Sequence, residues 1–358
     1  MTRRGYLDWL RGVATLLMVE AHTYDAWTSA ADKPDLPYKA VIALGGFAAP
    51  AFLFLAGVAL ALGATSAERR GASAAEAGAR ARRRGWQMFG LAFLFRLQSL
   101  VISGGRFPQA LLKVDILNIL GLSMVLVGAL WPLAVSRKGR AIAFIGMAAA
   151  FAILAPVIRS AGWVAALPDW LEMYVRTFRG RSSFSLFPWP AFALVGALVG
   201  ARLAAASADD EGALTKRIGT IGLGLVLTGC AVSLPPALFD PRAYWAEAPA
   251  YFLIRLGLLL AAIPVAFWWN QRRPGEWSPV REMGFASLFV YWIHVEMAYG
   301  RPANAIKGEL SFVEATIGYA LLVCVLWALV RLKGHVAAGG TSGLWRRWPV
   351  SRERRTTG

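Results

Sequence analysis

The opening apolar segment of the chain carries two ionisable residues, Arg11 and His22, eleven positions apart. A helix with 3.6 residues per turn places both on nearly the same face, roughly 16 Å apart along its axis. Asp8 lies three residues before Arg11, where it can pair with the guanidinium and lower the cost of that charge in a bilayer. A neutral imidazole can accept a proton from a hydroxyl or an amine. The spacing therefore predicts an ion pair towards one end of the helix and a catalytic base, His22, towards the other.

Other ionisable residues interrupt apolar segments along most of the chain. Because such residues are costly in lipid, each is a candidate for a functional site. Counting the helical rise places most of them at mid-membrane or in the half that holds His22, where a carboxylate could orient its imidazole. The set comprises Glu20, Arg96, Asp115, Arg255, His294 and Glu296. We assign Glu20 and His294 to catalysis with Arg11 and His22, and the other members, with Asp8, to substrate binding.

Structural roles are the competing explanation for several of these residues. An intramembrane histidine can simply hydrogen-bond a neighbouring helix, which applies to both His22 and His294. Asp115 comes directly before an apolar run, and Asn118 follows three residues later, so Asp115 could be the N-cap of a helix. Substrate contact and helix capping both stay open for Asp115 and Asn118.

A run of arginines precedes the third apolar segment, at Arg80, Arg82, Arg83 and Arg84. Positive residues in a short loop are first of all a topology signal that keeps the loop in the cytoplasm. Guanidinium groups also bind phosphate oxygens through charge-assisted hydrogen bonds. Arg82, Arg83 and Arg84 are therefore candidate ligands for nucleotide phosphates, with the topology signal as the alternative.

The composition is that of a membrane protein. Hydrophobic residues make up 57% of the 358 positions and charged residues 16%, against about 25% charged in ordinary soluble domains. Apolar segments long enough to cross about 30 Å of hydrocarbon recur along the chain. We expect an all-α, polytopic membrane domain with about ten transmembrane helices over residues 1–333, then a basic, disordered cytoplasmic tail at 334–358. The first segment is expected to be a retained helix, because charged residues interrupt it too often for a signal peptide.

The net charge of +17 lies mainly in short connections between the apolar segments. With the N-terminus in the cytoplasm, one side collects about 24 Lys and Arg residues and the other about 11. Both termini are therefore predicted to be cytoplasmic, in a bacterial inner membrane with anionic lipids as partners. No motif for a nucleic-acid partner accompanies the charge. Cys230 and Cys324 lie in apolar segments without ligand spacing, so neither a disulfide nor a metal site is predicted.

Two connections differ from the other loops. Residues 64–84 alternate alanine, glycine and arginine, which predicts either a short amphipathic helix or a flexible loop in the cytoplasm. The longest outer connection, residues 159–187, is rich in aromatic side chains that could stack on a sugar ring, although an interfacial aromatic belt is the stronger explanation. These side chains are Trp163, Trp170, Tyr174, Phe178 and Phe184.

Five segments together resemble a known family. The opening sequence YLDWLRGVATLLMVEAHTYDAW is similar to the first helix of the acyltransferase 3 superfamily, in which an Arg, ten residues and a His recur, here as Arg11 and His22. Four later segments resemble, in order, bacterial proteins related to heparan-alpha-glucosaminide N-acetyltransferase. These segments are APAFLFLAGVALALG, VDILNILGLSM, FPWPAFALVGALVG and GFASLFVYWIHVEMAYG, and the resemblance covers roughly residues 3–330.

The resemblance implies a membrane enzyme that takes an acyl group, often acetyl, from cytoplasmic acyl-CoA and delivers it to a saccharide acceptor on the far side. Acyl-CoA, in most cases acetyl-CoA, is then a co-substrate, with no permanently bound cofactor. By the same resemblance, the arginines of residues 80–84 meet the CoA phosphates, Arg11 and Asp8 line the entrance, and His22 meets the acceptor.

A secondary transporter or flippase is the alternative from another functional class, because intramembrane charges also mark substrate pathways. Transporters commonly contain two related halves with interrupted helices in corresponding places, and no such repeat is recognisable in this sequence. Within the enzyme class, transfer of succinyl or other acyl groups to periplasmic glucans is the nearest alternative. The identity of the acceptor and the oligomeric state stay open from sequence.

Overall fold

The computed structural model describes residues 4–103, 109–133, 136–177, 182, 184–233, 248–273 and 277–339. All regular structure in these residues is helical, and they contain no β-strand. Helices suit the apolar segments because a helix satisfies its backbone N–H and C=O groups internally, without water. The prediction of an all-α membrane protein is confirmed.

The helices follow one another with mostly short connections. The first seven are α1 (Gly5–Trp27), α2 (Leu36–Gly45), α3 (Ala48–Arg69), α4 (Ala74–Ser103), α5 (Gln109–Leu112), α6 (Ile116–Leu130) and α7 (Arg137–Ser160). The others are α8 (Asp169–Val175), α9 (Pro190–Ala205), α10 (Ala208–Ser233), α11 (Pro249–Arg272), α12 (Pro279–Phe285), α13 (Ser287–Tyr299) and α14 (Phe312–Gly339).

Six stretches of the described chain are long and apolar enough to cross a membrane, so the protein is a multi-pass membrane protein. They are Leu36–Arg69, Ala74–Ile102, Ile116–Leu133, Arg137–Ser160, Pro249–Arg272 and Phe312–Val336. Length and composition do not confirm the predicted number of about ten. Helix α9 has only 16 residues, and α1 carries four charged residues, so neither qualifies on these grounds.

Helix α1 lies at the centre of the bundle and packs against α2, α3 and all four helices from α11 to α14. Its approach to α12 is very close at Gly12, where a Cβ atom would lie 1.9 Å from the carbonyl oxygen of Val280. Small residues permit such backbone contact between membrane helices. The central position means that polar side chains on α1 face protein on several sides.

The bundle has two ends that differ in their side chains. We call the end where α1 begins, with Arg4 and Arg11, the basic end, and the end where α1 finishes, with His22, the histidine end. Arg4 donates to Glu211 near the start of α10, which places that start at the basic end. A backbone hydrogen bond from Leu310 to Trp27 places the start of α14 at the histidine end.

The connection at residues 64–84 is neither of the structures that the sequence predicted. Helix α3 continues to Arg69 and α4 begins at Ala74, so only a tight turn separates two long helices. Gly71 adopts a φ of 91° in this turn, a left-handed conformation that suits glycine. Ser73 and Glu76 exchange hydrogen bonds as a capping box that starts α4.

The last helix extends past residue 333, the predicted end of the membrane domain. Helix α14 continues to Gly339, six residues into the stretch for which we expected disorder. Gly334, after Arg331 and Lys333, is a sequence signal for a helix end, but no proline lies just beyond it and the helix continues through this glycine. Residues 340–358 lie outside the described part of the chain, as does Phe178 of the outer connection.

Candidate active site

Two histidines from distant helices meet at the histidine end. Nδ1 of His22, on α1, lies 2.8 Å from Nε2 of His294, on α13. The ring planes differ by only 1° and the ring centroids are 5.1 Å apart, so the imidazoles meet edge to edge. Nδ1 of His294 lies 2.9 Å from the carbonyl oxygen of Val290, one turn earlier. His294 is fully buried and His22 half-buried, so the pair is accessible from the side of His22.

This chain of hydrogen bonds determines where the protons lie when both rings are neutral. The carbonyl of Val290 can only accept, so Nδ1 of His294 carries its hydrogen and Nε2 has the lone pair. His22 then donates from Nδ1 and keeps a lone pair on Nε2. That nitrogen is therefore set to take a proton from a hydroxyl or an amine.

Asp115 contacts the pair only indirectly. Its Oδ2 lies 2.6 Å from Nη2 of Arg96 and accepts a hydrogen bond of 2.9 Å from the hydroxyl of Tyr291. With Asn118 it forms a reciprocal capping box that starts α6, which confirms the helix-cap interpretation. The ring of Tyr291 in turn packs against that of His294, with centroids 5.7 Å apart. Asp115 and Arg96 thus support the histidines through Tyr291.

Both polar groups of the Asn118 side chain make hydrogen bonds within the protein. Its Oδ1 accepts from the backbone N–H of Asp115 at 3.0 Å, and its Nδ2 donates to the hydroxyl of Tyr174 at 3.2 Å. Burial raises the pKa of Tyr174 to about 12, so this hydroxyl stays protonated at neutral pH. Of the two roles that the sequence leaves open for Asn118, substrate contact and helix capping, the structure shows capping together with a bridge to the outer connection.

The sequence suggested a carboxylate partner for His22, and the structure corrects this. In the described part of the chain, the side-chain hydrogen bonds of His22 and His294 join them to each other and to Val290. Neither Glu20, Asp115 nor Glu296 takes part, because His294 occupies the only position beside Nδ1 of His22. The orienting group is therefore a second imidazole.

Arg255 stacks on aromatic rings instead of joining the histidines. Its guanidinium carbon lies 4.0 Å from the ring centroid of Tyr251 and 5.9 Å from that of Trp189. Its Nη2 also approaches Gly46, at the break between α2 and α3. Stacking of this kind lowers the cost of keeping a cation within the bundle.

The basic end contains a cavity of about 310 Å³ between α1 and α3. Arg11 and Asp8 both line it, and Nη1 of Arg11 lies 3.6 Å from Oδ1 of Asp8, which confirms the predicted ion pair. Arg4 and Ser66 complete its polar lining. Arg11 and Asp8, which were expected to line the entrance, therefore line a cavity in the structure.

A second cavity, of about 180 Å³, lies between α3 and α4. It shares Gly63 and Ser66 with the first, so the two cavities adjoin. Its lining brings three further guanidinium groups to the same place, those of Arg70, Arg80 and Arg84. Together the cavities offer a site for an anionic ligand at the basic end.

The structure separates the three arginines that the sequence grouped. Arg84 lines the second cavity. Arg82 is half-buried and donates to the carbonyl oxygen of Gly128 at 3.1 Å, so it joins α4 to α6. Arg83 is exposed, and neither cavity has it in its lining. Helical geometry explains the difference, because consecutive residues point in directions 100° apart.

Sequence reasoning missed three residues near the histidines. Tyr291 lies three residues before His294 and Asp25 three residues after His22, spacings that place each beside its histidine. Tyr299 donates from its hydroxyl to Oδ2 of Asp25 at 2.7 Å, and no spacing rule reveals that contact. The described residues include no group of three His, Cys, Asp or Glu side chains that could hold a metal ion.

Comparison with known proteins identifies the family of this chain. No curated protein matches the chain. The family model described as heparan-alpha-glucosaminide N-acetyltransferase, catalytic, matches residues 3–229, a range that contains His22 and both cavities but ends before His294. The matched range is more than half of the sequence and the family implies an acetyltransferase: the chain belongs to the heparan-alpha-glucosaminide N-acetyltransferase catalytic family.

Proposed function

We propose that the protein transfers an acetyl group from acetyl-CoA, bound at the basic end, to an amine or hydroxyl of a saccharide acceptor at the histidine end. The observation that carries this proposal is the pairing of His22 with His294, which leaves Nε2 of His22 as a proton acceptor. Family membership supports the acetyl group and the transfer reaction. The arginine-lined cavities support an anionic donor such as acetyl-CoA.

The chemical step needs one proton acceptor. The acceptor atom attacks the thioester carbonyl carbon while Nε2 of His22 removes its proton. The carbon–sulfur bond then breaks, and the thiolate of CoA leaves and takes the proton from the imidazolium. Acetyl-CoA bound beside Arg11 has to extend its arm along the face of α1 that leads to His22, over roughly 16 Å.

The sidedness of the reaction follows from the charge distribution. About 24 Lys and Arg residues lie in the segments on the side of the basic end and about 11 on the other, which favours a cytoplasmic basic end. Acetyl-CoA is made in the cytoplasm, so the donor meets the cavities on that side. In this proposal about ten helices cross a bacterial inner membrane, both termini are cytoplasmic, and the acceptor binds from outside.

The direct test is an assay of purified protein in nanodiscs, with acetyl-CoA as donor and a panel of amino sugars and neutral sugars as acceptors. We expect release of free CoA that depends on acceptor, together with an acetylated product. Absence of product with every acceptor would contradict the proposal. Uptake of a sugar into vesicles without CoA release would instead support the transporter alternative.

A further inference from the structure

Gly63, on α3, lies between the two cavities of the basic end. With Ser66, it belongs to the lining of both. Among the described residues, a Cβ atom built at Gly63 would meet only Nη1 of Arg84, at 3.9 Å, which is an ordinary van der Waals distance. The missing side chain therefore leaves open space where one cavity passes into the other.

Helix packing does not account for this glycine. Gly57, earlier on the same helix, would place a Cβ atom 2.0 Å from the carbonyl oxygen of Ala193, so close packing against α9 requires a glycine there. Gly63 has no such neighbour in the described part of the chain, and it lies within a regular helix, where glycine is less favourable than alanine. A glycine that costs helix stability without a packing role indicates a use for the space itself.

The two cavities differ in the charge that they offer to a ligand. In the first, Arg4 is paired with Glu211 and Arg11 with Asp8, so both cations already have a carboxylate partner. The lining of the second contains no acidic residue, and none of the ion pairs of the described residues includes its arginines, which are Arg70, Arg80 and Arg84. The excess positive charge is therefore in the second cavity.

The rest of the first cavity is mostly apolar. Its apolar lining residues are Leu7, Leu55, Val58, Ala59 and Leu62. Such a surface suits an uncharged arm better than phosphate groups, because a charged group that leaves water needs a partner of opposite charge. A ligand that matches both cavities thus carries its anionic groups at one end and an uncharged arm at the other.

We propose that Gly63 determines donor specificity: the donor crosses α3 at this residue, with its phosphates in the second cavity and its uncharged arm in the first. This inference rests on the proposed function for the identity of the donor, acetyl-CoA. The covalent connection past Gly63 makes binding of the second part of the molecule intramolecular, so the whole binds more tightly than either part. Selectivity for the complete donor then depends on an open passage.

The alternative explanation is that a side chain at position 63 acts only by displacing Arg84. A blocked passage affects molecules that span both cavities, whereas a displaced arginine weakens the binding of every phosphate ligand. ADP carries phosphates without the arm, and S-acetylpantetheine carries the arm without phosphates. These two fragments therefore separate the explanations.

The test measures binding directly, so it does not depend on turnover. Affinities for acetyl-CoA, ADP and S-acetylpantetheine are measured by calorimetry on the full protein in nanodiscs, for the parent, Gly63→Ala, Gly63→Leu and Gly90→Leu. Gly90 is the matched control, because it is an exposed glycine of α4 with open space around its Cβ position, and it lines neither cavity. Thermal unfolding and acetyl transfer to the sugar panel are measured on the same samples.

We expect Gly63→Leu to weaken acetyl-CoA binding about 100-fold and to leave the affinities for ADP and S-acetylpantetheine unchanged. Gly63→Ala should weaken acetyl-CoA binding about threefold, with the same fragment pattern, and it provides the comparison if the leucine variant does not fold. Gly90→Leu should change none of the three affinities. Unchanged acetyl-CoA affinity in the Gly63 variants, or an equal loss for ADP, overturns the inference.

The outcomes also separate this inference from the proposed function. Acetyl-CoA binding that Gly63→Leu selectively removes, without transfer by the parent to any acceptor, would refute the proposed function alone. Acetyl transfer by the parent, with an acetyl-CoA affinity that the Gly63 variants keep, would refute this inference alone. A parent that binds no acetyl-CoA would refute both.

Discussion

The histidine end and the basic end of the bundle hold their polar side chains in different ways. At the histidine end, side chains from different helices bind one another directly, as in the pair of His22 with His294 and the contact of Arg96 with Asp115. At the basic end some arginines are also paired within the protein, but Arg80 and Arg84 line a cavity, and none of the ion pairs of the described residues includes either of them.

The difference matches two chemical tasks. A proton acceptor works only when its ring is held in one orientation, so its partners have to be part of the fold. A phosphate-bearing ligand brings its own negative charges, so the arginines that receive it stay available until it binds. The histidine pair is accordingly organised in the absence of substrate, whereas under the proposed function Arg80 and Arg84 gain their anionic partner from the donor.

The largest effect is expected from replacing the base. His22→Ala should lower kcat for acetyl transfer by at least about 100-fold, because general-base catalysis contributes factors of that order. The affinity for acetyl-CoA should stay unchanged, because its proposed site lies at the other end of the bundle. His335→Ala is the matched control, since this exposed histidine donates or accepts only along its own helix. Full activity of His22→Ala would show that the pair is not the site.

A smaller loss is expected when the partner of the base is changed. His294→Gln should lower kcat about tenfold or more, because Nδ1 of His22 loses the ring that fixes its tautomer. The pH profile of kcat should change at the same time, since the environment of His22 is altered. Thermal unfolding is the control measurement. A large drop in the unfolding temperature with kcat unchanged in the folded fraction would reduce His294 to a structural contact.

A still smaller effect is expected at the basic end. Arg84→Lys should weaken acetyl-CoA binding about threefold to tenfold, because lysine keeps the charge but lacks the planar fork of the guanidinium. Binding is measured by titration in nanodiscs. Arg137→Lys is the control, an exposed arginine at the start of α7 that lines neither cavity. Equal effects of the two substitutions would leave Arg84 as a topology signal only.

The smallest effect is expected in the outer connection. Trp163 and Trp170 are 58% and 54% exposed, as residues of an interfacial aromatic belt are. Changing either to Ala should alter the KM for the acceptor less than about twofold, within the cost of a surface substitution. A rise of tenfold in acceptor KM, with acetyl-CoA binding unchanged, would favour an acceptor site in this connection.

Local spacing gave correct predictions for two contacts between residues that are three positions apart. The pairing of Asp8 with Arg11 and the capping box of Asp115 with Asn118 both follow from separations of three residues. The contact between His22 and His294 spans 272 positions of the chain, so only the packing of α13 against α1 creates it. The sequence identified both histidines as candidate site residues, but it could not pair them and offered a carboxylate as the group that could orient His22.

The arginines that line the two cavities show the same limit of prediction from sequence. The sequence identified arginines near the start of the third apolar segment, but it could not separate Arg84 from its neighbours without knowing which face of α4 meets α3. Arg4 and Arg70 were not singled out, because a positive residue in a loop has the same pattern whether it faces solvent or a cavity. Packing between helices decides these cases.

The distance in sequence between the two histidines has a consequence for biosynthesis. Helices of a membrane protein enter the bilayer in the order of synthesis, and α13 is among the last. A nascent chain that already contains His22 and both arginine-lined cavities therefore has no partner for His22 until residue 294 has been inserted. Chains released before that point lack the oriented base, so under the proposed function they are expected to leave acetyl-CoA intact.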